Sequence, residues 1–246
     1  MRVGLCDSGL GGLTVLKELR KKYPKNDYIY IGDNKNIPYG NKSLDELINL
    51  GQNLIDFLEK KNVDLIIIAC GTLSSNVIPF LKTNTKIIDV VRPTIKYINE
   101  NIKKKVTVFA TDATIKSHIF RDNLKYGCTE VACPLFVPMI ENDDIDVSKI
   151  VSMVPNDDII VLGCTHFPLI EKYLNNKTIN MGKIIELDEN RGTSSLDIYF
   201  TDINPKLEKN VKKIIDGDVK YARITRGWNC KRNFKKKNIK GKNYWC

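Results

Sequence analysis

Short apolar runs alternate along this chain with stretches of helical period. Arg2–Cys6, Tyr28–Gly32, Leu65–Ala69, Lys86–Val90, Val106–Ala110, Glu130–Cys133, Ile159–Gly163 and Ile184–Leu187 predict strands. Several are rich in Ile and Val without polar alternation, which fits strands covered on both faces, as in parallel sheets. Helical spacing fills the intervals. Gly12–Tyr23 places Leu13, Leu16 and Leu19 on one face. Ser43 followed by Glu46 is a capping box, and Leu44, Leu47, Leu54, Ile55 and Leu58 recur behind it. Pro93, Pro168 and Pro205 stand where a first helical turn accepts proline. Such alternation predicts an α/β fold.

The chain also resembles itself. Asp64-Leu-Ile-Ile-Ile-Ala-Cys70 and Asp158-Ile-Ile-Val-Leu-Gly-Cys164 share one plan: an acid, an apolar strand, a small residue, a cysteine. A threonine follows each, at Thr72 and Thr165. Earlier in each half another strand ends in small polar groups, Val3–Leu5 into Asp7-Ser8 and Val106–Ala110 into Thr111. The repeat predicts two similar α/β domains with largely parallel sheets, each presenting a cysteine at the carboxyl end of a strand. Ligands of open α/β sheets bind at that end. The expected division is residues 1–92 plus about 205–224, then 93–204, with a mobile basic tail over 225–246.

Charge sharpens that last boundary. The net charge is +10, but nine Lys/Arg and no Asp/Glu fall between Arg223 and Cys246. The rest holds 30 basic against 29 acidic residues. The body is therefore near neutral, and nucleic-acid contact, if any, is assigned to the tail. Apolar runs fall short of the ~18 residues of a membrane helix, and the N-terminus lacks a secretory pattern. No membrane association is expected. The seven cysteines are odd in number and form no CxxC pair. They read as reduced, cytoplasmic thiols, with no metal site.

Two opposed thiols suit proton transfer at an amino acid's α-carbon. One, as thiolate, takes the proton from one face; the other, as thiol, donates to the opposite face. A free cysteine near pKa ~8.5 is only about 10% thiolate at pH 7.5, so the site must favour the thiolate. Helix starts expected after Cys70 and Cys164 would help. His166, two residues after Cys164, is placed to exchange a proton or pair with a substrate carboxylate. His118 sits in a helical pattern and reads as structural. Asp7-Ser8-Gly9 forms a glycine-rich turn without a phosphate-loop signature. Pro38-Tyr39-Gly40 reads by itself as a tight turn.

Over roughly Val3 to Thr225 these motifs resemble the glutamate racemase family. The resemblance is carried by Gly4-Leu-Cys-Asp-Ser-Gly-Leu-Gly-Gly-Leu-Thr14, by Tyr30-Ile-Gly-Asp33 with Pro38-Tyr-Gly40, and by Cys133-Pro-Leu-Phe-Val-Pro138 ahead of Glu141. Most specific is Leu162-Gly-Cys-Thr-His-Phe-Pro-Leu169; aspartate racemase relatives more typically have Cys-Thr-Glu. The resemblance implies two α/β domains facing each other across an active-site cleft. It implies cofactor-independent interconversion of L- and D-glutamate, which supplies D-glutamate for peptidoglycan. By motif, Cys70 and Cys164 are the acid/base residues, assisted by Asp7, His166 and Glu141. Ser8, Tyr39, Gly40, Thr72, Thr114 and Thr165 are the implied substrate contacts, with Asp7 and His166. A homodimer is the expected assembly.

The chain departs from this pattern in places. Gly71 stands where the family has Asn, whose side chain contacts substrate. A hydrogen bond to a charged group is worth about 1.5–3 kcal/mol. Gly71 is therefore either a lost substrate contact or a position of close backbone approach. Arg92 replaces a usual acidic residue, Leu187-Asp188-Glu189 differs, and the tail extends past the family's ordinary end. The alternatives are a racemase of another acidic amino acid such as aspartate, a one-sided decarboxylase relative, and a catalytically impaired relative that uses its tail on nucleic acid.

Overall fold

A computed structural model of the chain describes residues 1–154, 159–215, 221–225 and 242–245. The strands are β1 (Arg2–Asp7), β2 (Asp27–Gly32), β3 (Leu65–Ile68), β4 (Lys86–Asp89), β5 (Val106–Ala110), β6 (Cys128–Ala132), β7 (Ile159–Leu162), β8 (Lys177–Asn180), β9 (Leu196–Phe200), β10 (Tyr221–Thr225) and β11 (Lys242–Trp245). The α-helices are α1 (Gly12–Lys22), α2 (Leu44–Glu59), α3 (Gly71–Asn76), α4 (Val91–Asn101), α5 (Asp112–Lys116), α6 (Ile119–Asn123), α7 (Phe136–Glu141), α8 (Val147–Ser152), α9 (Met181–Ile184) and α10 (Pro205–Ile215).

Two sheets form, ordered β11-β10-β9-β2-β1-β3-β4 and β6-β5-β7-β8, and every pairing is parallel. The sequence repeat is visible here: the order β2-β1-β3-β4 recurs, four strands later, as β6-β5-β7-β8. In each half the first strand lies between the second and the third. The crossovers leave it on opposite sides, and the loops at its carboxyl end part to form a crevice. Asp7-Ser8 and Cys70 flank that crevice in the first half, Thr111 and Cys164 in the second.

The apolar runs explain the sheets. β3, β5 and β7 are buried at every residue. One hydrophobic cluster fills the space between the sheets, joining Val3 and Leu5 of β1 to Val106 and Val108 of β5 through Leu13, Leu16, Ile95, Met181 and Val211. α1, α4, α9 and α10 thus form a shared layer between two sheets. Separate clusters cover the outer faces, under α2 in one half and under α7 in the other. α2 starts as expected: Glu46 N–H donates to Ser43 Oγ, and the Glu46 carboxylate accepts from Ser43 N–H.

Four expectations change. Ile184–Leu187 is not a strand: α9 ends at Ile184, and Ile185 and Leu187 bury as coil. The strand there is β8, Lys-Thr-Ile-Asn, whose single apolar residue hid it. β9 lies between β2 and β10, so the chain returns to the first sheet at Leu196 rather than near 205. No α-helix follows Cys164; the chain makes two short 3-10 turns, Phe167–Leu169 and Glu171–Tyr173. Finally, the tail expected to be mobile ends in β11, beside β10. Its basic stretch, residues 226–241, lies outside the described residues.

Candidate active site

The carboxyl ends of β1 and β3 and the turn after β7 converge on a cavity of about 180 Å³. That is smaller than the ~300–1,000 Å³ of drug-sized pockets. Asp7, Ser8, Tyr39, Gly40, Cys70, Thr72, Cys164, Thr165 and His166 line it, so nine predicted residues meet there. Gly71, Thr114 and Glu141 stand behind the lining. Thr111, which the motifs do not mark as a site residue, also lines the wall and links two that they do mark. Its hydroxyl lies 2.9 Å from Thr72 Oγ1 and donates to Thr114 Oγ1 at 3.1 Å. Its place after β5, matching Asp7 after β1, was the available signal.

The two thiols have different surroundings. Cys70 occupies the N-cap position of α3, and its Sγ lies 3.8 Å from Ser8 Oγ. Burial, reinforced by the Asp7 carboxylate, pushes the Cys70 thiol well above its ordinary value. The helix start expected to favour its thiolate is outweighed. Asp7 is itself buried and held: Gly9 N–H and Gly12 N–H donate to Oδ2 at 3.0 and 2.9 Å, and Thr165 Oγ1 donates to Oδ1 at 3.4 Å. Burial raises its carboxyl, while His166 and the two amides work the other way.

Cys164 Sγ lies 3.7 Å from His166 Nδ1, and His166 Nε2 lies 2.7 Å from Glu141 Oε1. Burial disfavours the imidazolium, but hydrogen bonds to Cys164 and Glu141 prevail and hold His166 well above the ordinary histidine range. The relay depends on the first half. Leu10 N–H donates to Glu141 Oε1 at 2.8 Å, and Thr14 Oγ1 donates to the Thr165 carbonyl at 2.9 Å. Gly11 packs so closely that a Cβ there would overlap the His166 ring.

Tyr39 is placed by a residue that the motif reading did not use as a site residue. Its hydroxyl donates to Asp33 Oδ2 at 2.6 Å, and Thr201 Oγ1 and Asn36 Nδ2 also donate to that buried carboxylate. Arg92, the other departure in charge, donates to the Ser74 carbonyl at 3.1 Å and pairs with Asp89 at 3.2 Å, tying the end of β4 to α3. Gly71 meets the second half directly: a Cβ on it would overlap the Gly163 carbonyl oxygen, and Cys164 Cα lies 3.5 Å from that same point. Close backbone approach is therefore the reason for glycine here. His118 lies away from the cavity, its Nδ1 3.7 Å from Glu130 Oε2. Cys6, Cys70, Cys128, Cys133 and Cys164 are free thiols. Among the described residues no cluster of three His, Cys, Asp or Glu side chains could hold a metal, and no helix is long and apolar enough to cross a membrane.

No protein-family model matches the chain. Individual proteins do. Glutamate racemase of Aquifex aeolicus is 35% identical over 243 residues, 89% of this chain and 96% of the relative. Glutamate racemase of Fusobacterium nucleatum is 42% identical over 188 residues, covering 70% and 71%. Among solved structures, glutamate racemase from Aquifex pyrophilus superposes with a TM-score of 0.78 at 32% identity, covering 91% of this chain and 98% of that one. The two-sheet architecture, the paired thiol turns and these relatives agree: the chain belongs to the glutamate racemase family, an amino-acid racemase and hence an isomerase.

Proposed function

We propose that the protein interconverts L- and D-glutamate without a cofactor, by proton transfer between the substrate α-carbon and two thiols on opposite faces. One observation carries this reading: Cys70 and Cys164, from matching positions in two similar halves, line one small cavity. His166, held well above the ordinary histidine range, stands 3.7 Å from Cys164 Sγ, and burial keeps Cys70 towards the neutral thiol, so the first proton abstraction is assigned to Cys164. In one direction the Cys164 thiolate removes the α-proton, the electron pair delocalises into the carboxylate, and the Cys70 S–H delivers a proton to the other face. The Cys70 thiolate and Cys164 thiol that result are the starting state for the reverse reaction. The buried Cys70 thiolate is costly, and Ser8 and the Leu73 N–H are the groups that ease it. Asp7 is the neighbour for the substrate ammonium. Thr72, Thr111 and Thr165 offer hydroxyls to the carboxylates, with Tyr39 closing the wall.

A solved relative from Francisella tularensis is described in complex with D-glutamate; it is 27% identical with a TM-score of 0.75. That supports a free amino acid as the small-molecule substrate. The same reading assigns D-glutamate to peptidoglycan supply, a cytoplasmic location and a homodimeric assembly. Incubating the protein with each enantiomer of glutamate and aspartate in D2O tests it. Loss of optical activity and of the α-proton signal is expected for both glutamate enantiomers. No exchange with glutamate, or faster exchange with aspartate, overturns the proposed substrate.

A further inference from the structure

Glu141 holds the relay together from an unfavourable place. It is the last residue of α7, a six-residue helix, and a carboxylate at a helix C-terminus faces the negative end of the dipole. The chain then turns through Asn142 into Asp143, which has φ of +54°, a left-handed conformation uncommon outside glycine. Asp143 N–H donates to the Ile140 carbonyl at 3.2 Å and Asp144 N–H to the Met139 carbonyl at 2.9 Å, closing the helix end. The Asp143 carboxylate points across to the other half. Lys209 Nζ donates to Oδ2 at 2.7 Å, and Lys213 Nζ reaches Oδ1 at 3.0 Å and Oδ2 at 3.2 Å. Both lysines lie on α10, one helical turn apart, so one carboxylate receives two cations from one helix face. The two lysines together hold the Asp143 carboxyl below its usual range.

We propose that Asp143 is a positioning residue: clasped by Lys209 and Lys213 of α10, it holds the end of α7 against the first half so that Glu141 meets both the Leu10 amide and His166. The proposal rests on the reading of Cys164, His166 and Glu141 as the acid/base relay. One residue, Asn142, separates the clasp from Glu141, and a displacement there breaks the 2.7 Å contact to His166 and the 2.8 Å contact to Leu10 together. The clasp also joins the half that carries Cys164 to α10, which packs on α1 in the layer behind Asp7 and Ser8. It therefore fixes how closely the two sets of catalytic groups meet. None of its three side chains is fully buried, so its strength depends on ionic strength.

The test compares the full-length wild type with Asp143→Asn and with Lys209→Ala/Lys213→Ala on both glutamate enantiomers. Asp143→Asn is expected to lower kcat about three- to tenfold, the range of one to two exposed ion pairs, with KM within about twofold. The basic limb of its kcat–pH profile moves to lower pH, because Glu141 raises the His166 pKa. Salt near 1 M reduces the wild-type kcat by a similar factor and leaves the variant unmoved. The double lysine variant reproduces all three effects and serves in its place if Asp143→Asn does not fold. Charge exchange, Asp143→Lys with Lys209→Asp, restores part of the lost kcat. Wild-type kcat, pH profile and salt response in a folded Asp143→Asn overturn the clasp. Glu141→Gln separates the two ideas: if it leaves the basic limb in place, the relay reading fails. If it moves that limb and Asp143→Asn does not, only the clasp fails.

Discussion

The turns that carry Cys70 and Cys164 begin alike and end differently. Each follows a fully buried strand next to the first strand of its half, and each is followed within two residues by a threonine. Past that point they diverge. Cys70 enters α3, sits beside Ser8 and Asp7, and is pushed towards the neutral thiol. Cys164 enters no helix and faces an imidazole backed by a carboxylate. A helix start alone does not activate a buried thiol when a carboxylate stands near it. An imidazole that can carry positive charge is the kind of neighbour that favours a thiolate, and it stands beside Cys164 and not beside Cys70. Two equivalent strand ends bring both thiols to one cavity. Their neighbours are unequal, a carboxylate near one and an imidazole near the other.

The largest effect expected follows from removing either sulfur. Cys70→Ser and Cys164→Ser should each lower racemisation by at least the ~10²–10⁴-fold attributed to one acid/base group. Each should retain some one-sided chemistry, such as elimination from an analogue with a good leaving group. Steady-state polarimetry checks this, and full activity in either single variant sinks the two-thiol mechanism.

Weakening the partner of only one thiol should break the comparison asymmetrically. Glu141→Gln removes a hydrogen bond to a charged group, worth about 1.5–3 kcal/mol or roughly ten- to 150-fold in kcat/KM. Stability should respond as well. His166 has a raised folded-state pKa, so above about 6.5 the folded state binds more protons than the unfolded one. The imidazolium's contribution is complete below that value and lost as pH rises through the folded pKa. The Tm gap between wild type and Glu141→Gln should therefore be widest near about pH 6 and shrink at alkaline pH. A gap that grows with pH contradicts the assigned charge state.

Gly71 tests the contact between the two turns. Any side chain there meets the Gly163 carbonyl, and overpacking of this kind costs about 1–3 kcal/mol. Gly71→Ala should lower stability within that range, and Gly71→Asn should lower kcat/KM for glutamate rather than raise it. Thermal melts and kinetics on both enantiomers decide the point. A well-folded Gly71→Asn protein with improved turnover shows that the missing amide, and not the close approach, is what matters.

The smallest effect belongs to the tail. Deleting Lys231–Cys246 removes the edge strand β11 and much of the basic stretch. Catalysis should stay within about twofold, the usual scale of surface changes. Any nucleic-acid binding should weaken and fall steeply with salt in the parent protein. A large loss of racemase activity makes β11 part of the working fold.

The sequence by itself determined the parallel α/β class, the internal repeat, the two thiol-bearing strand ends and nine of the lining residues. These depend on local pattern: uninterrupted Ile/Val runs need cover on both faces, and small or polar groups at their carboxyl ends mark a crevice. It did not show β8, because Lys177–Asn180 has one apolar residue and the edge of a sheet does not demand more. Nor did it separate the two readings of Gly71, the part Thr111 plays in the cavity wall, or the two lysines that clasp Asp143. Those pairs stand 39 to 92 residues apart and meet only when the two sheets close on a shared helix layer. Proton affinity at Cys70 was likewise a tertiary decision. Burial raises the energy of its thiolate, and the Asp7 carboxylate, 63 residues away in sequence, adds to that cost, while Cys164 meets the His166 imidazole instead.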